Sequence, residues 1–591
     1  MKRQALADSE EGDEPWGDAE REAMTVILSP ARSNPGPKVH LISILGGMSI
    51  SARSTVSRRI FVQGSVLTVA GAAVMGLSAC STSGSKDQPE PLGYDGEPRA
   101  LPIPPVEEGE VVDGTRVFKL TAQDGYSEIL PGNDRTRTWG FNGPFLGPTL
   151  RARRGEKVRA EITNDLIEMT TVHWHGMKLP AYSDGGPHSP IEVGKTWKPE
   201  WEIIQPAGTL WYHPHPHMAT ATHAYRGLAG MFLIDDDVAD NLDLPQDYGV
   251  DDIPVVIMDA KFTDDGQIDE KSDNTLGLLG TTPLVNGITN ARFDATTRRV
   301  RLRLLNGASM RFYTLELTNG AFHVIATDAG LLDVPVEVDS LFLGPGERAE
   351  IIVDLEPGKE VQLRSVPRKD NFGVPKDKDA ADFGFQDSFD LLTISGPEES
   401  APEPPVLPAT LDPAAAKTPS TEGLEEREFV LNTFMINGEQ MDMARVDTVI
   451  NHDAPEIWTV TNENSDWPHN FHIHNARFKV LDWDGDEKMN VFNSGWKDIV
   501  NLPPKVTARL LVEFGHFPDK TIPYMYHCHM LLHEDEGMMG QYVMVNNGEK
   551  PDVRVKPAAL VFDQTATAHS AHAGLVVDSS RSPYATPEAQ A

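Results

Sequence analysis

"GPTLRARRGEKVRAEITNDL", residues Gly147 to Leu166, alternates apolar with polar side chains and runs into an asparagine before the chain turns back. A period of two is that of a strand with one face in a core. The same alternation recurs in "VFKLTAQ" at 117–123, "RRVRLRLLN" at 298–306, "AEIIVDL" at 349–355 and "ARLLVEF" at 508–514. Long helical periodicity is nearly absent, so the expected architecture is all-β. The opening stretch also has two counterparts, "TTRRVRLRLLNGASMRFYTLEL" at 296–317 and "EIWTVTNENSDWPHNFHIH" at 456–474. Each is followed, after Gly or Pro, by an edge-like run: "EVGKTWKPEWEI", "LGPGERAEIIVDL" and "PPKVTARLLVEF". A repeat of this kind predicts three homologous sandwiches, at residues 106–240, 250–397 and 424–548.

Between them, the Pro- and Ala-rich stretch 398–423 reads as an extended linker, as does the Pro- and Gly-rich stretch 81–105. The tail, 549–591, is low in aromatics and reads as disordered, with His569 and His572 as solvated residues. A length of 591 residues exceeds one ordinary core. Asp and Glu outnumber Lys and Arg by 88 to 52, a net charge of −36 that argues against nucleic acid as a partner and favours attraction of cations.

The N-terminal region, up to Cys80, reads as an address. Arg58 and Arg59 precede an apolar run from Val66 to Ala79, which resembles a twin-arginine export signal and is too short and too broken by Gly and Ser for a membrane span. It ends in "LSAC", a lipobox-like sequence in which Cys80 would take the lipid anchor. The acidic residues before it fit no such signal, and translation is expected to start at Met48. The expectation is an exported envelope or periplasmic lipoprotein, monomeric, held to the membrane through Cys80. Cys528 is then the one thiol of the mature protein, so no internal disulfide can form.

Ten of the 19 histidines fall in four clusters: His173 and His175; His213 and His215; His469, His472 and His474; and His527, His529 and His533. The middle sandwich has His323 alone. Residues i and i+2 of a strand share a face, so each H-x-H pair presents two imidazoles to one point. Imidazole serves Cu, Zn, Fe and Ni alike. Cys528 points away from its neighbours His527 and His529. With His469, His533 and a weak axial Met538 it would complete a blue-copper ligand set, whereas zinc has little use for a thioether.

These motifs make the chain resemble the three-domain bacterial multicopper oxidases, a group with copper-efflux cuprous oxidases, bilirubin oxidases and laccases; the likeness runs from Phe141 to Val545. The resemblance implies three cupredoxin-like Greek-key sandwiches, the middle one without copper ligands, and four copper ions. The type 1 ion would take His469, Cys528, His533 and Met538, and the type 2 ion His173 and His472. Of the type 3 pair, one ion would take His175, His213 and His529, the other His215, His474 and His527. It further implies that a one-electron reductant feeds the type 1 ion, that electrons pass through Cys528 to its histidine neighbours, and that dioxygen is reduced to water. Asp184 and Glu534 match carboxylates that supply protons in the family; a turn-forming role before Gly185 and Gly186 is the plain alternative for Asp184.

The reductant is open between Cu(I), with a role in copper tolerance, and phenolic or aromatic-amine compounds. The stretch where efflux enzymes carry a methionine-rich insertion, "PRKDNFGVPKDKDAADFGFQDSFD", holds no methionine. Met441, Asp442 and Met443 nevertheless sit where those enzymes bind substrate Cu(I), and Met489 follows Asp482, Asp484 and Asp486 nearby. An open mouth lined by Trp496 would suit larger aromatic donors. A non-enzymatic scaffold or copper store is the alternative from another class. The intact Cys528 and ten histidines argue against it.

Overall fold

The computed structural model describes residues 96–133, 135–271, 276–452, 454–485 and 490–553. The export signal with Met48, Arg58, Arg59 and Cys80, the tail histidines His569 and His572, and Asp486 and Met489 lie outside the described residues.

The opening stretch forms two strands, Thr149–Arg153 and Lys157–Asn164. In the second, Val158, Ala160 and Ile162 are fully buried while the residues between them face outward, as the alternation predicts. These strands belong to opposite sheets of the first sandwich. One sheet pairs Thr115–Ser127 in parallel with Lys157–Asn164, and the other pairs Thr149–Arg153 in parallel with Gly230–Asp235.

The plan recurs twice. Asp252–Ala260 runs parallel to Arg299–Asn306 in the second sandwich, and Glu425–Asn432 parallel to Glu456–Asn462 in the third. Opposite them lie the parallel pairs Ala291–Asp294 with Phe389–Ser395, and Thr448–Asn451 with Met539–Val545. The three pairs of sheets are the Greek-key, cupredoxin-like sandwiches the sequence predicts.

The asparagine that closes each repeat has one job three times over. Asn164, Asn306 and Asn462 are completely buried. Each accepts from a backbone N–H two residues on, at Leu166, Ala308 and Asn464, over 2.9 to 3.0 Å. Each amide group donates back to carbonyls of the returning chain, for example Ile191 O at 2.7 Å, Arg311 O at 2.8 Å and Trp467 O at 2.8 Å. A tight, buried corner leaves backbone groups without ladder partners, and a short amide side chain can satisfy donor and acceptor together.

Two stretches expected as linkers do more. Arg99–Ala100 is a strand paired in parallel with Ala291 and Arg292 of the second sandwich, and its Arg99 guanidinium donates to Ile129 O (2.7 Å) and Glu128 O (2.8 Å) of the first. The prolines around it mask the strand in the sequence. In the connector, Leu411 is buried and its N–H donates to Asp333 O (2.8 Å), so this segment is docked on the second sandwich. The short helix Leu531–Asp535 of the third sandwich packs against helix Thr220–Tyr225 of the first, and Leu531 and Leu532 enter a core shared with Ala221, Ala224 and Tyr225. That joint holds the four histidine clusters together.

Candidate copper centre

Strand His173–His175 pairs antiparallel with Gly208–His213, which sets His173 opposite His213 and His175 opposite Trp211. Strand His469–Ile473 pairs with Asp519–His527, setting His472 opposite His527. The two arrays meet across the joint: His173 stacks on His474 at 3.7 Å between ring centroids, and His175 on His472 at 3.8 Å. Every one of the ten clustered histidines is at most 1% exposed. Burial holds all ten below the ordinary imidazole range, at about 3 for His213, His527 and His533, so they are neutral imidazoles, the form that can bind a metal, rather than cations.

Hydrogen bonds on the outer nitrogens orient most of these rings. Nδ1 of His173 donates to Asp184 O (3.0 Å), of His213 to Pro214 O (2.9 Å), of His472 to Asp498 O (2.8 Å), of His474 to Asp184 Oδ2 (2.7 Å) and of His527 to Cys528 O (3.0 Å). His175 is reversed, its Nε2 donating to Asp498 Oδ1 at 3.1 Å. A proton on the outer nitrogen leaves the inner one as a bare lone pair. The inner atoms crowd: Nε2 of His527 lies 3.1 Å from Nε2 of His215 and 3.2 Å from Nε2 of His474, and His175 Nδ1 is 3.4 Å from His213 Nε2. Nε2 of His173, His472 and His529 is buried with no hydrogen-bond partner. Facing lone pairs at such distances repel unless a cation draws them together, so the residues fit a metal.

One ligand nitrogen from each residue brings three trios together, His215 with His474 and His527, His173 with His175 and His213, and His173 with His472 and His474, the atoms of each trio lying within 4.8 Å of one another. The first trio is the set expected for one type 3 ion. His529 stands with its ring 4.9 Å from that of His175 and 5.2 Å from that of His213, which brings together the residues expected for the other. His173 and His472, expected for type 2, share the partnerless inner nitrogen.

On the far side of the same strand end, His469, Cys528 and His533 form a separate trio. Cys528 Sγ is 3.7 Å from His469 Nδ1 and 3.6 Å from His533 Nδ1, and those two nitrogens are 3.1 Å apart. His469 Nε2 donates outward to Asn464 Oδ1 at 2.9 Å. Met538 is fully buried, and its backbone bonds to both partners, N–H to His533 O (2.8 Å) and O from Cys528 N–H (3.1 Å). Burial pushes the Cys528 thiol up to about 12, so it gives a thiolate only to a bound cation. A thiolate with two imidazoles and a nearby thioether is a donor set for copper.

Both proton-carrier candidates reach the inner cluster. Asp184 bonds His173 through its carbonyl and His474 through its carboxylate, and burial lifts that carboxyl to about 6. The turn that places it requires Gly185, whose φ is +80° and where a Cβ would sit 1.7 Å from Val172 O. Without a Cβ, glycine takes that conformation freely. Glu534 lies 3.2 Å from Nδ1 of both His215 and His527, accepts from Thr220 Oγ1 at 2.7 Å, and is raised well above the carboxylate range by burial.

Sequence reasoning missed Asp498. This buried carboxylate bonds His175 and is gripped by the buried Arg348, at 2.8 Å from Nη1 and 2.6 Å from Nη2. Arg348 N–H in turn donates to Asp328 (2.8 Å), and Lys497 bridges Asp328 (2.8 Å) to Glu347 (2.6 Å). The second sandwich, empty of expected ligands, thereby supports the inner cluster.

Trp496 does not stand at the mouth of the outer site. It is 5% exposed, lies under the guanidinium of Arg477 at 4.0 Å, and lines a cavity of about 630 Å³ with Pro206, Leu331 and Ala415. The half-buried aromatics beside the outer trio are Phe434 and Trp467, whose rings lie 5.2 and 5.9 Å from that of His533. Met441 is half-buried and its N–H bonds Gly537 O (2.9 Å), next to Met538. Met443 is buried, and the Asp442 carboxylate is engaged by Ala444 N–H at 2.9 Å.

Three sequence profiles described as multicopper oxidase match residues 123–239, 270–361 and 407–548. The multicopper oxidase mco of Staphylococcus haemolyticus is 36% identical over 440 residues, 73% of this chain and 90% of that protein. The cell division protein FtsP of Photorhabdus laumondii is 34% identical over 495 residues, 83% of this chain and 98% of its own length. Among solved structures, a laccase-like multicopper oxidase from a lignin-degrading Ochrobactrum, with oxidase activity towards lignin model compounds and lignosulfonate, is similar at 34% identity. Its TM-score is 0.67, over 75% of this chain and all of that one.

Proposed function

Because this chain belongs to the multicopper oxidase family, a group of copper-dependent oxidoreductases with oxygen as acceptor, we propose that it oxidises phenolic or aromatic-amine donors and reduces dioxygen fully to water. The observation that carries this reading is the junction at His527, Cys528 and His529. Cys528 turns to the outer trio and its two neighbours turn to the inner cluster, so one residue of backbone separates the two sites.

Copper, four ions in this reading, would supply one-electron uptake at His469, Cys528, His533 and Met538 and multi-electron reduction of oxygen at the eight inner histidines. The chain's own part is to hold and protonate. Asp184 and Glu534, kept protonated more readily than exposed carboxyls by burial, each touch two inner histidines and can supply protons as dioxygen is reduced to water beside those rings. Protons lost by the phenol or amine return through them. Complete burial of the eight imidazoles keeps bulk water and large donors from the inner cluster, so the organic donor is confined to the outer edge.

At that edge His533 lies against Phe434 and Trp467, which offer ring faces to an aromatic donor. The segment 366–389 has four phenylalanines and no methionine, with Phe372 4.7 Å from Phe342 and 5.8 Å from Phe385. A dedicated cuprous site would call for thioethers there. Met441 favours a second reading, Cu(I) as donor, since it is a half-buried thioether whose N–H bonds Gly537 O, next to Met538. Export by the twin-arginine route and lipid attachment at Cys80 belong to the same proposal and rest on the sequence alone. Oxygen uptake by wild type, Trp467→Ala and Met441→Leu separates the donors. We expect Trp467→Ala to raise KM for phenols at least fivefold and leave Cu(I) oxidation within twofold. Loss confined to Cu(I) in Met441→Leu, with phenols unaffected by Trp467→Ala, would transfer the assignment to Cu(I).

A further inference from the structure

Asn470 stands between the two copper-type sites, one residue after His469 and two before His472. It is completely buried, and its side chain has three engagements. Its Oδ1 accepts from the backbone N–H of His529 at 2.6 Å, and the Cys528 thiol donates to the same oxygen at 3.5 Å. Its Nδ2 donates to Pro345 O of the second sandwich at 3.1 Å. The two ends fix the amide orientation without ambiguity, oxygen toward the sulfur and nitrogen toward Pro345.

The residue after Pro345 tightens the same point. Gly346 has φ +84°, and a Cβ there would sit 2.9 Å from the His529 ring and 2.7 Å from Ile499 Cδ1, so the second sandwich lies flush against that imidazole. Backbone N–H groups of Asn470 and Met530 also face the sulfur. Cys528, the peptide that joins it to His529, and the His529 ring are thus held from one side by a single amide and one glycine.

We infer that Asn470 is a positioning residue for electron passage between the outer and inner sites, clamping the Cys528–His529 peptide and setting the polarity at the sulfur. The inference rests on the oxidase reading above. It assigns a task to the sandwich that has no expected ligand: Pro345 anchors the clamp. An amide oxygen directed at a thiolate disfavours extra negative charge there, so its removal favours the reduced state of the outer site.

Copper-loaded wild type and Asn470→Ala are reduced without oxygen, mixed with dioxygen, and followed by the return of the blue absorbance, while a redox titration gives the outer-site potential. With copper content equal, Asn470→Ala should return to blue at least fivefold more slowly and show a raised potential. A return rate within twofold of wild type overturns the inference. Should Asn470→Ala fail to take up copper, hydrogen exchange at the His529 amide of copper-free wild type and Asn470→Asp decides, since both retain the acceptor. Protection in both sustains the clamp, and exchange at the rate of an open amide in either overturns it. Absence of oxygen turnover by wild type would refute the oxidase reading, while the amide measurement would still judge the clamp.

Discussion

Cys528→Ser is expected to abolish both the blue absorbance and steady-state donor oxidation, lowering turnover by on the order of a thousandfold or more, while the inner histidines keep their metal. A serine hydroxyl has nearly the same volume, so the buried trio need not collapse. It cannot supply the soft, covalent sulfur ligand that a thiolate gives copper, and its pKa lies far above that of a thiol. The inner sites are insulated from the loss because His527 and His529 face the other way and are oriented by their own contacts. Absorption spectra, copper content and oxygen uptake measured on one preparation test this. Retained turnover would remove Cys528 from the electron route.

The second large effect belongs to a residue that touches no expected ligand. Arg348→Met should cost about 3–5 kcal/mol of stability, the usual consequence of breaking a fully buried ion pair by deleting one partner. Arg348 is 0% exposed and binds Asp498 through two nitrogens, while its Nε donates to Thr209 O (3.1 Å) and its Nη2 to Asp328 O (2.9 Å). Methionine fills the volume but leaves Asp498 with His175 as its remaining side-chain hydrogen-bond partner and His472 Nδ1 3.9 Å away. Burial already raises the Asp498 carboxyl above its ordinary range, against the pull of Arg348. Without Arg348 it rises further. A carboxyl whose folded pKa exceeds its unfolded one binds more protons when folded, so stability falls as pH rises. The deficit should therefore be larger at pH 8 than at pH 5. Urea unfolding of copper-free wild type and variant at both values measures it. A loss below about 1 kcal/mol at pH 8 would show that water enters and solvates Asp498.

What the sequence disclosed and what it hid divide along sequence separation. Strand alternation, the thrice-repeated asparagine and the H-x-H pairs are local patterns, and each has a local physical cause: the pleat, a corner's orphaned backbone groups, a shared face. From them came the three sandwiches and the ten histidines with Cys528. The supporting layer is made of pairs far apart in the chain. His175 meets Asp498 across 323 positions, Arg348 meets Asp498 across 150, and Asn470 meets Pro345 across 125. Asp498 and Arg348 each look like ordinary charged residues in a strand-rich region until the fold buries them.

Trp496 shows the reverse error. Its place near the third sandwich's ligands in the sequence suggested the donor mouth, but strand Ile499–Leu502 enters the sheet with Trp496 turned toward Arg477 and the cavity it lines with Pro206 and Leu331. Phe434 and Trp467 went unremarked because aromatic residues in short turns carry no periodicity. Likewise Arg99–Ala100, two residues among prolines, is too short to register as a strand until Ala291 and Arg292 pair with it.

The central claim, that one chain joins one-electron donors to complete reduction of dioxygen, is tested most directly by electron stoichiometry. Copper-loaded protein is supplied with a phenolic one-electron donor and limiting oxygen, and donor oxidised, oxygen consumed and hydrogen peroxide are measured together. Four donors oxidised per oxygen molecule, with no peroxide, is the predicted result. Two donors per oxygen with accumulating peroxide, or no oxygen uptake by fully loaded protein, would contradict it.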